Sequence, residues 1–191
     1  MGTAQTLSPF MSQASNSQQW VESDFRRLFL EHYSRIVGVL FRLMGDRSRS
    51  EELANDAFWR LYREPHLQTD SNIGGWLYRT ATNLGLDALR ASQVRQKYEQ
   101  AAGRASQENR VQKDPLGDVL QEEKCRRVRA VLAAIRPTQA QILVLRASGL
   151  SYKELAEALN VKPTGIGTML NRAEQEFREQ YLQMHGPEED L

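Results

Sequence analysis

The chain has 191 residues, 40% of them hydrophobic and 26% charged, with a formal net charge of +1, a composition that fits one ordinary folded domain or two small ones. One cysteine, Cys125, excludes an intramolecular disulfide and suits a reducing, cytoplasmic compartment. No run approaches the roughly eighteen consecutive apolar residues of a membrane-spanning helix, so membrane insertion is not expected.

Residues 1–19 carry no charged side chain, no basic start and no apolar core. They are not a signal peptide and read as a disordered leader. From Trp20, the residues Val21, Phe25, Leu28, Phe29, Ile36, Val37, Leu40, Phe41 and Met44 recur at steps of three and four, predicting a helix with one buried face that Gly45 and Asp46 end. In SRSEELANDAFWRLYRE, Ser48 and Glu51 stand at capping-box spacing, and Leu53, Ala57, Phe58 and Leu61 form an apolar stripe. Pro65 breaks that helix. HLQTDSN reads as a polar loop, and a third helix starts at Asn72 or Ile73, with Trp76, Leu77, Ala81, Leu84 and Ala88 inward and Tyr78, Arg79, Thr82, Asn83 and Arg90 mainly outside that stripe.

The periodicity fades after Arg95. Residues 96–120, with Gly103, Pro115 and Gly117, read as a linker that spans at most about 80 Å when extended. Residues 121–184 resume a helical pattern and carry a net +3, a weak hint of a polyanionic partner. Residues 185–191 form an acidic tail. No strand alternation of useful length occurs, so the expected fold is all-α: two small helical domains, residues 20–95 and 121–184, each with its own core, joined by a flexible linker.

The stretch GLSYKELAEALNVKPTGIGTMLNRAEQEF, residues 149–177, is the most informative. Gly149 stops one helix, and Ser151 with Glu154 makes a capping box for a short helix whose stripe is Leu155, Ala156 and Leu159. Asn160 and Val161 turn the chain, and Pro163 starts a second helix, where its missing N–H costs nothing. Two helices joined this way can expose the start of the second one to a duplex major groove, although a plain helical hairpin has the same outline. Gly165 and Gly167 cost about 1 kcal/mol each relative to Ala inside a helix. They suit a backbone that approaches a phosphate or base edge closely. Lys162, Thr164, Gly165, Thr168, Asn171 and Arg172 are therefore candidate DNA-facing residues.

SYKELAEALNVKPTGIGTMLNRAEQEF resembles the fourth conserved region of bacterial sigma factors of the extracytoplasmic-function (ECF) group of the sigma-70 family, where a helix-turn-helix reads the minus-thirty-five promoter element. EELANDAFWRLYRE is similar to that family's polymerase-binding helix, and GGWLYRTATNLGLDALR to its promoter-melting helix. Three phrases in order and spacing make the resemblance specific over residues 20 to about 182. It implies a factor that binds core RNA polymerase and directs promoter-specific transcription initiation, with no catalytic residue, cofactor or metal of its own. Glu52, Asn55, Asp56 and Arg60 would grip the clamp helices of the largest polymerase subunit, and the flap would be a further contact. Asn83, with Arg79 and Arg90, would contact the minus-ten element. The segment from His66 to Gly75 would capture a flipped base, with Trp76 a packing residue first. Promoter DNA is the second partner, and an anti-sigma factor a third that the resemblance admits.

Gly167 and Met169 stand where many relatives carry Lys or Arg, and Glu174 replaces a frequently basic residue, so fewer charged groove contacts are implied. Two other readings stay open on sequence. An operator-binding regulator would explain residues 138–181 and leave the first block idle. A helical adaptor would explain the architecture but not the two-glycine helix. An enzyme fits least, because His32, His66 and His185 are isolated and no metal-ligand or phosphate-cradling spacing exists.

Overall fold

In a computed structural model, residues 10–64, 72–101 and 117–187 are described. They form seven α-helices and no strand: α1 (Phe10–Met44), α2 (Arg47–Arg63), α3 (Ile73–Ala101), α4 (Gly117–Ala134), α5 (Pro137–Ala147), α6 (Tyr152–Leu159) and α7 (Ile166–His185). The all-helical expectation holds. α1 begins at Phe10 rather than Trp20, inside the segment read as a disordered leader. Residues 10–19 contain neither Gly nor Pro, and elongating an existing helix needs no new nucleus. α3 runs on to Ala101 and α4 starts at Gly117, so both ends of the segment read as a linker are helical.

Gly45 adopts φ +70 and ends α1. The chain turns within two residues, which makes Asp46 the cap of α2: its side chain accepts from the Arg49 backbone N–H at 2.7 Å. The Ser48–Glu51 box is not used. Ser48 already lies in the first turn, and Glu51 is paired instead with Arg47 at 2.8 Å.

α1, α2 and α3 pack on one another, and α4 to α7 form a second group. The sequence pattern suggested a separate core in each. The buried residues instead form one continuous cluster from Leu28 through Leu89 and Val131 to Ala173, with α3 packed against α1 and α2 and also against α4, α5 and α6. A helix covered from two directions needs a wider apolar face than one stripe. Leu77 and Ala81 are buried as expected, but so are Tyr78, Thr82, Leu86 and Leu89, while Trp76, Leu84 and Ala88 are only half-buried. Thr82 is accommodated because its hydroxyl donates to the Tyr78 carbonyl at 2.7 Å.

Among the described residues, an ion pair crosses between the groups. Arg35 on α1 donates from Nη2 to Glu154 Oε1 at 2.8 Å, and Glu154 also accepts from the Ser151 backbone N–H at 2.8 Å. The Ser151 backbone bond, helped by Arg35 and the Ser151 hydroxyl, holds the Glu154 carboxyl down at about 2, against an ordinary 4.5. Because the folded value is the lower one, this stabilisation is complete above pH 4.5 and is lost as pH falls towards about 2. With a third of the side chain exposed, solvent screening reduces it to about 1–2 kcal/mol. Glu154→Gln should therefore melt below the parent at neutral pH, with the gap closing as pH falls through that window. A gap independent of pH in thermal denaturation would contradict this account.

Candidate nucleic-acid interface

The second group presents its helix pair as local chemistry dictates. Ser151 caps α6 in a complete capping box with Glu154, and Asn160 ends it in the left-handed region at φ 56. Lys162 is extended, and Pro163–Gly165 make a 3-10 turn leading into α7. Ile166, Leu170 and Ala173 are buried at helical spacing, which fixes the rotation of α7. The opposite side carries Lys162, Thr164, Thr168, Asn171 and Arg172, all exposed. A Cβ added at Gly165 or Gly167 would meet nothing within 4 Å. These glycines are not demanded by packing, and they leave the outer backbone of α7 bare. Arg136, at the start of α5, binds Glu176 of α7 through its backbone N–H (2.9 Å), Nε (2.8 Å) and Nη2 (2.5 Å), and these bonds lower the Glu176 carboxyl below its usual range. α7 is thereby braced on its inner side.

On α2, Glu52, Asn55, Asp56 and Arg60 are exposed together, and Glu52 is oriented by Arg49 at 2.6 Å. Sequence reasoning missed two neighbours. Trp59 is 59% exposed and Tyr62 48%, their rings stacked at 5.7 Å. With Phe25, Phe29, Asn55 and Phe58 they line a shallow apolar groove of about 300 Å³. The available signal was Trp59 itself, a large apolar residue off the Leu53–Ala57–Leu61 stripe.

On α3, Arg79, Asn83 and Arg90 lie on the side that faces α4, α5 and α6. Arg79 Nε donates to the Ala158 carbonyl at 2.7 Å, and Arg90 Nε to the Ala133 carbonyl at 3.3 Å. Gln141, buried on α5, donates from Nε2 to the Arg79 carbonyl at 3.3 Å and to Asn83 Oδ1 at 3.2 Å. Asn72 caps two helices at once. Its Oδ1 accepts from the Gly75 N–H at 3.2 Å, and its Nδ2 donates to the Glu157 carbonyl at 2.8 Å. Of the expected base-capturing segment, residues 66–71 lie outside the described residues. Asn72–Gly75 sit against α6, where a Cβ on Gly75 would come within 2.7 Å of the Glu157 backbone. Among the described residues no group of three or more His, Cys, Asp or Glu is placed to hold a metal ion. None of their helices is long and apolar enough to cross a membrane.

The protein thus presents two separate exposed surfaces, the turn and start of α7 and the aromatic and charged face of α2. Comparison with known proteins shows the family. The family models Sigma-70 region 2 and Sigma-70, region 4 match residues 28–95 and 125–177, between them more than half of the chain. The ECF RNA polymerase sigma factor SigE of Mycolicibacterium smegmatis is 27% identical over 84% of this chain and 62% of its own. The SigK factor of Mycobacterium bovis is 28% identical over 78% of this chain and 82% of its own. The sigma factor RpoE of Bartonella quintana, solved in complex with the anti-sigma factor NepR, aligns over 85% of this chain and 98% of its own at 18% identity and a TM-score of 0.46. The chain belongs to the sigma-70 family of RNA polymerase sigma factors, in its ECF group. It spans between half and two thirds of the length of the first relatives it matches.

The geometry separates scaffold from contact residues on α7. Leu170→Ala should cost about 2–5 kcal/mol through the cavity it opens. Asn171→Ala, one residue on and exposed, should stay within about 0.5 kcal/mol of the parent. Denaturant unfolding measures both, and equal losses would mean that α7 is rotated differently.

Proposed function

We propose that this protein binds core RNA polymerase and directs promoter-specific transcription initiation in the cytoplasm, without catalytic chemistry of its own. The outward-facing start of α7, carried on one chain with the exposed α2 face, supports this reading most directly. α7 would enter the major groove at the minus-thirty-five element, with Lys162 and Arg172 on phosphates and Thr164, Thr168 and Asn171 near base edges. Gly165 and the bare backbone around it would allow the close approach. On α2, Glu52, Asn55, Asp56 and Arg60 would dock on the largest polymerase subunit through charge complementarity. Trp59 and Tyr62 would supply the apolar anchor that such interfaces concentrate their energy in.

α3 would serve the minus-ten element. Asn83 would take a base and Arg79 and Arg90 the backbone, because binding an unstacked base offsets the few kcal/mol of opening. Initiation then needs no bond-making by this protein, which supplies sequence recognition to the polymerase.

Reconstituted transcription with the cognate core polymerase tests the reading. Added alone to core, the protein should start transcripts at a restricted promoter set. An operator-binding regulator would change output only beside another sigma factor, and that result would overturn the proposal. Asp56→Lys and Trp59→Ala should each weaken core binding at least several-fold while leaving promoter-fragment binding by α7 intact. Arg172→Ala should do the reverse, lowering the salt dependence of DNA binding by about one phosphate contact.

A further inference from the structure

α7 outruns the core that positions it. Its last buried residue is Ala173, and beyond it Phe177, Tyr181 and His185, one turn apart, stack in sequence at ring-centre distances of 6.2 and 5.1 Å. Between this ladder and α4 runs an open groove of about 590 Å³, lined by Val128, Phe177, Tyr181 and Leu182, with the cations of Lys124 and Arg178 also on its walls. Val128 is 39% exposed and Leu182 45%, an apolar surface that burial would favour. Arg126 and Arg127 on the same helix are paired with Glu123. Lys124 and Arg178 have no ion-pair partner among the described residues.

The chain leaves α7 into this groove. Gly186 takes φ 77, a conformation that favours glycine, while its N–H donates to the Leu182 carbonyl at 2.9 Å. Pro187 cannot continue the helix and forms part of the groove wall. Beside this turn His185 Nε2 is enclosed and has no hydrogen-bond partner among the described residues, a condition that calls for one. The next residues, Glu188, Glu189, Asp190 and Leu191, lie outside the described ones. They bring three carboxylates and one large apolar side chain on a segment that reaches about 14 Å. From His185 back to Phe177 is about 12 Å along α7, so the segment is long enough to cover the groove. Residues 102–116, which approach α4 from its other end, carry Arg104, Arg110 and Lys113 against Glu108 and Asp114. Their charge has the wrong sign for a basic wall.

We propose that residues 188–191 fold back into the α4–α7 groove, with Leu191 against Val128, Phe177 and Leu182. Their carboxylates meet Lys124 and Arg178 and accept from His185 Nε2–H. Exposed charge pairs alone contribute little. Burial of the leucine supplies the rest, and Gly186 with Pro187 fixes the direction of departure, so less freedom is lost on seating. The groove is thereby a docking surface held by the chain itself, and any other acidic, amphipathic segment must displace residues 188–191 to bind there. The seating involves neither polymerase nor DNA and is independent of the promoter function proposed above.

Nuclear Overhauser contacts in the full-length protein test it. The Leu191 methyl groups should show cross-peaks to the Val128 methyl groups and the Phe177 ring, unchanged on dilution. Lys124→Glu/Arg178→Glu should weaken them several-fold, and adding Glu188→Lys/Glu189→Lys to that variant should restore them, a rescue that damaged folding cannot give. Leu191→Ser, which alters no groove residue, should free the groove for the apolar dye bis-ANS and raise its fluorescence several-fold over the parent. Should the charge-reversed variant fail to fold, the parent cross-peaks and Leu191→Ser still decide. Absence of the Leu191 cross-peaks, or parental dye fluorescence in folded Leu191→Ser, would overturn the seating. Cross-peaks that vanish on dilution would overturn it in favour of a contact between two copies of the chain.

Discussion

The arrangement depends on how helix ends are satisfied. Every α-helix leaves carbonyls at its C-terminus without internal partners, and burying them unpaired is costly. Here the two groups of helices answer that need for one another. Arg79 and Asn72 of the first group serve the end of α6, Arg90 serves the end of α4, and Arg129 of the second group serves the end of α1 through the Arg42 carbonyl at 3.2 Å. Each bond runs from a cationic or amide donor to a backbone oxygen in the negative field of a helix terminus. The capping groups therefore join the two groups, and α3 with Asn72 just before it contributes three of the four.

Close approach is the second constraint. Gly75 lets the start of α3 touch the Glu157 backbone, and Gly45, beside which a Cβ would come within 2.6 Å of the Arg129 guanidinium, leaves room for that arginine. Both glycines sit where the two groups meet. A Cβ on Gly165 or Gly167 would meet nothing within 4 Å, so the four residues mark two different uses of a missing side chain: contact within the protein and open space towards solvent. The apolar cluster continues between these polar links, with Leu77, Ala81, Leu145 and Leu155 fully buried, which keeps water from competing for the bonds.

Local chemistry was legible in the sequence, and pairing at a distance was not. Gly149, the Ser151–Glu154 box, Asn160 and Pro163 each act within four residues, and the α6–α7 geometry follows from them almost directly. The Ser48–Glu51 spacing misled because capping depends on where the preceding helix stops, and Gly45 stops α1 early enough for Asp46 to take the role. The double burial of α3 was hidden because Tyr78 and Thr82 read as part of a polar face. Asn83 likewise meets a partner, Gln141, that stands 58 positions away. Arg79 and Asn83 were recognisable as chemically equipped residues, but their sequence neighbourhood carries no sign that the chain itself would occupy them. Trp59 was visible as an off-stripe aromatic and was outweighed by the charged residues around it.

The tether sets how far the two groups could part. Residues 102–116 can reach at most about 55 Å when extended, less than the separation of two elements two turns apart. The helices at either end supply the rest. α3, with 29 residues, is about 43 Å long, and its C-terminal part beyond Leu89 carries the exposed Val94 and Tyr98 rather than core residues. A stiff arm followed by a short connection confines the second reader more tightly than a uniformly flexible linker would. Tighter confinement raises its effective concentration at the second element and, equally, at its own α3. The same covalent link thus also favours the packing of the second group on α3, where Arg79 and Arg90 meet helix-end carbonyls.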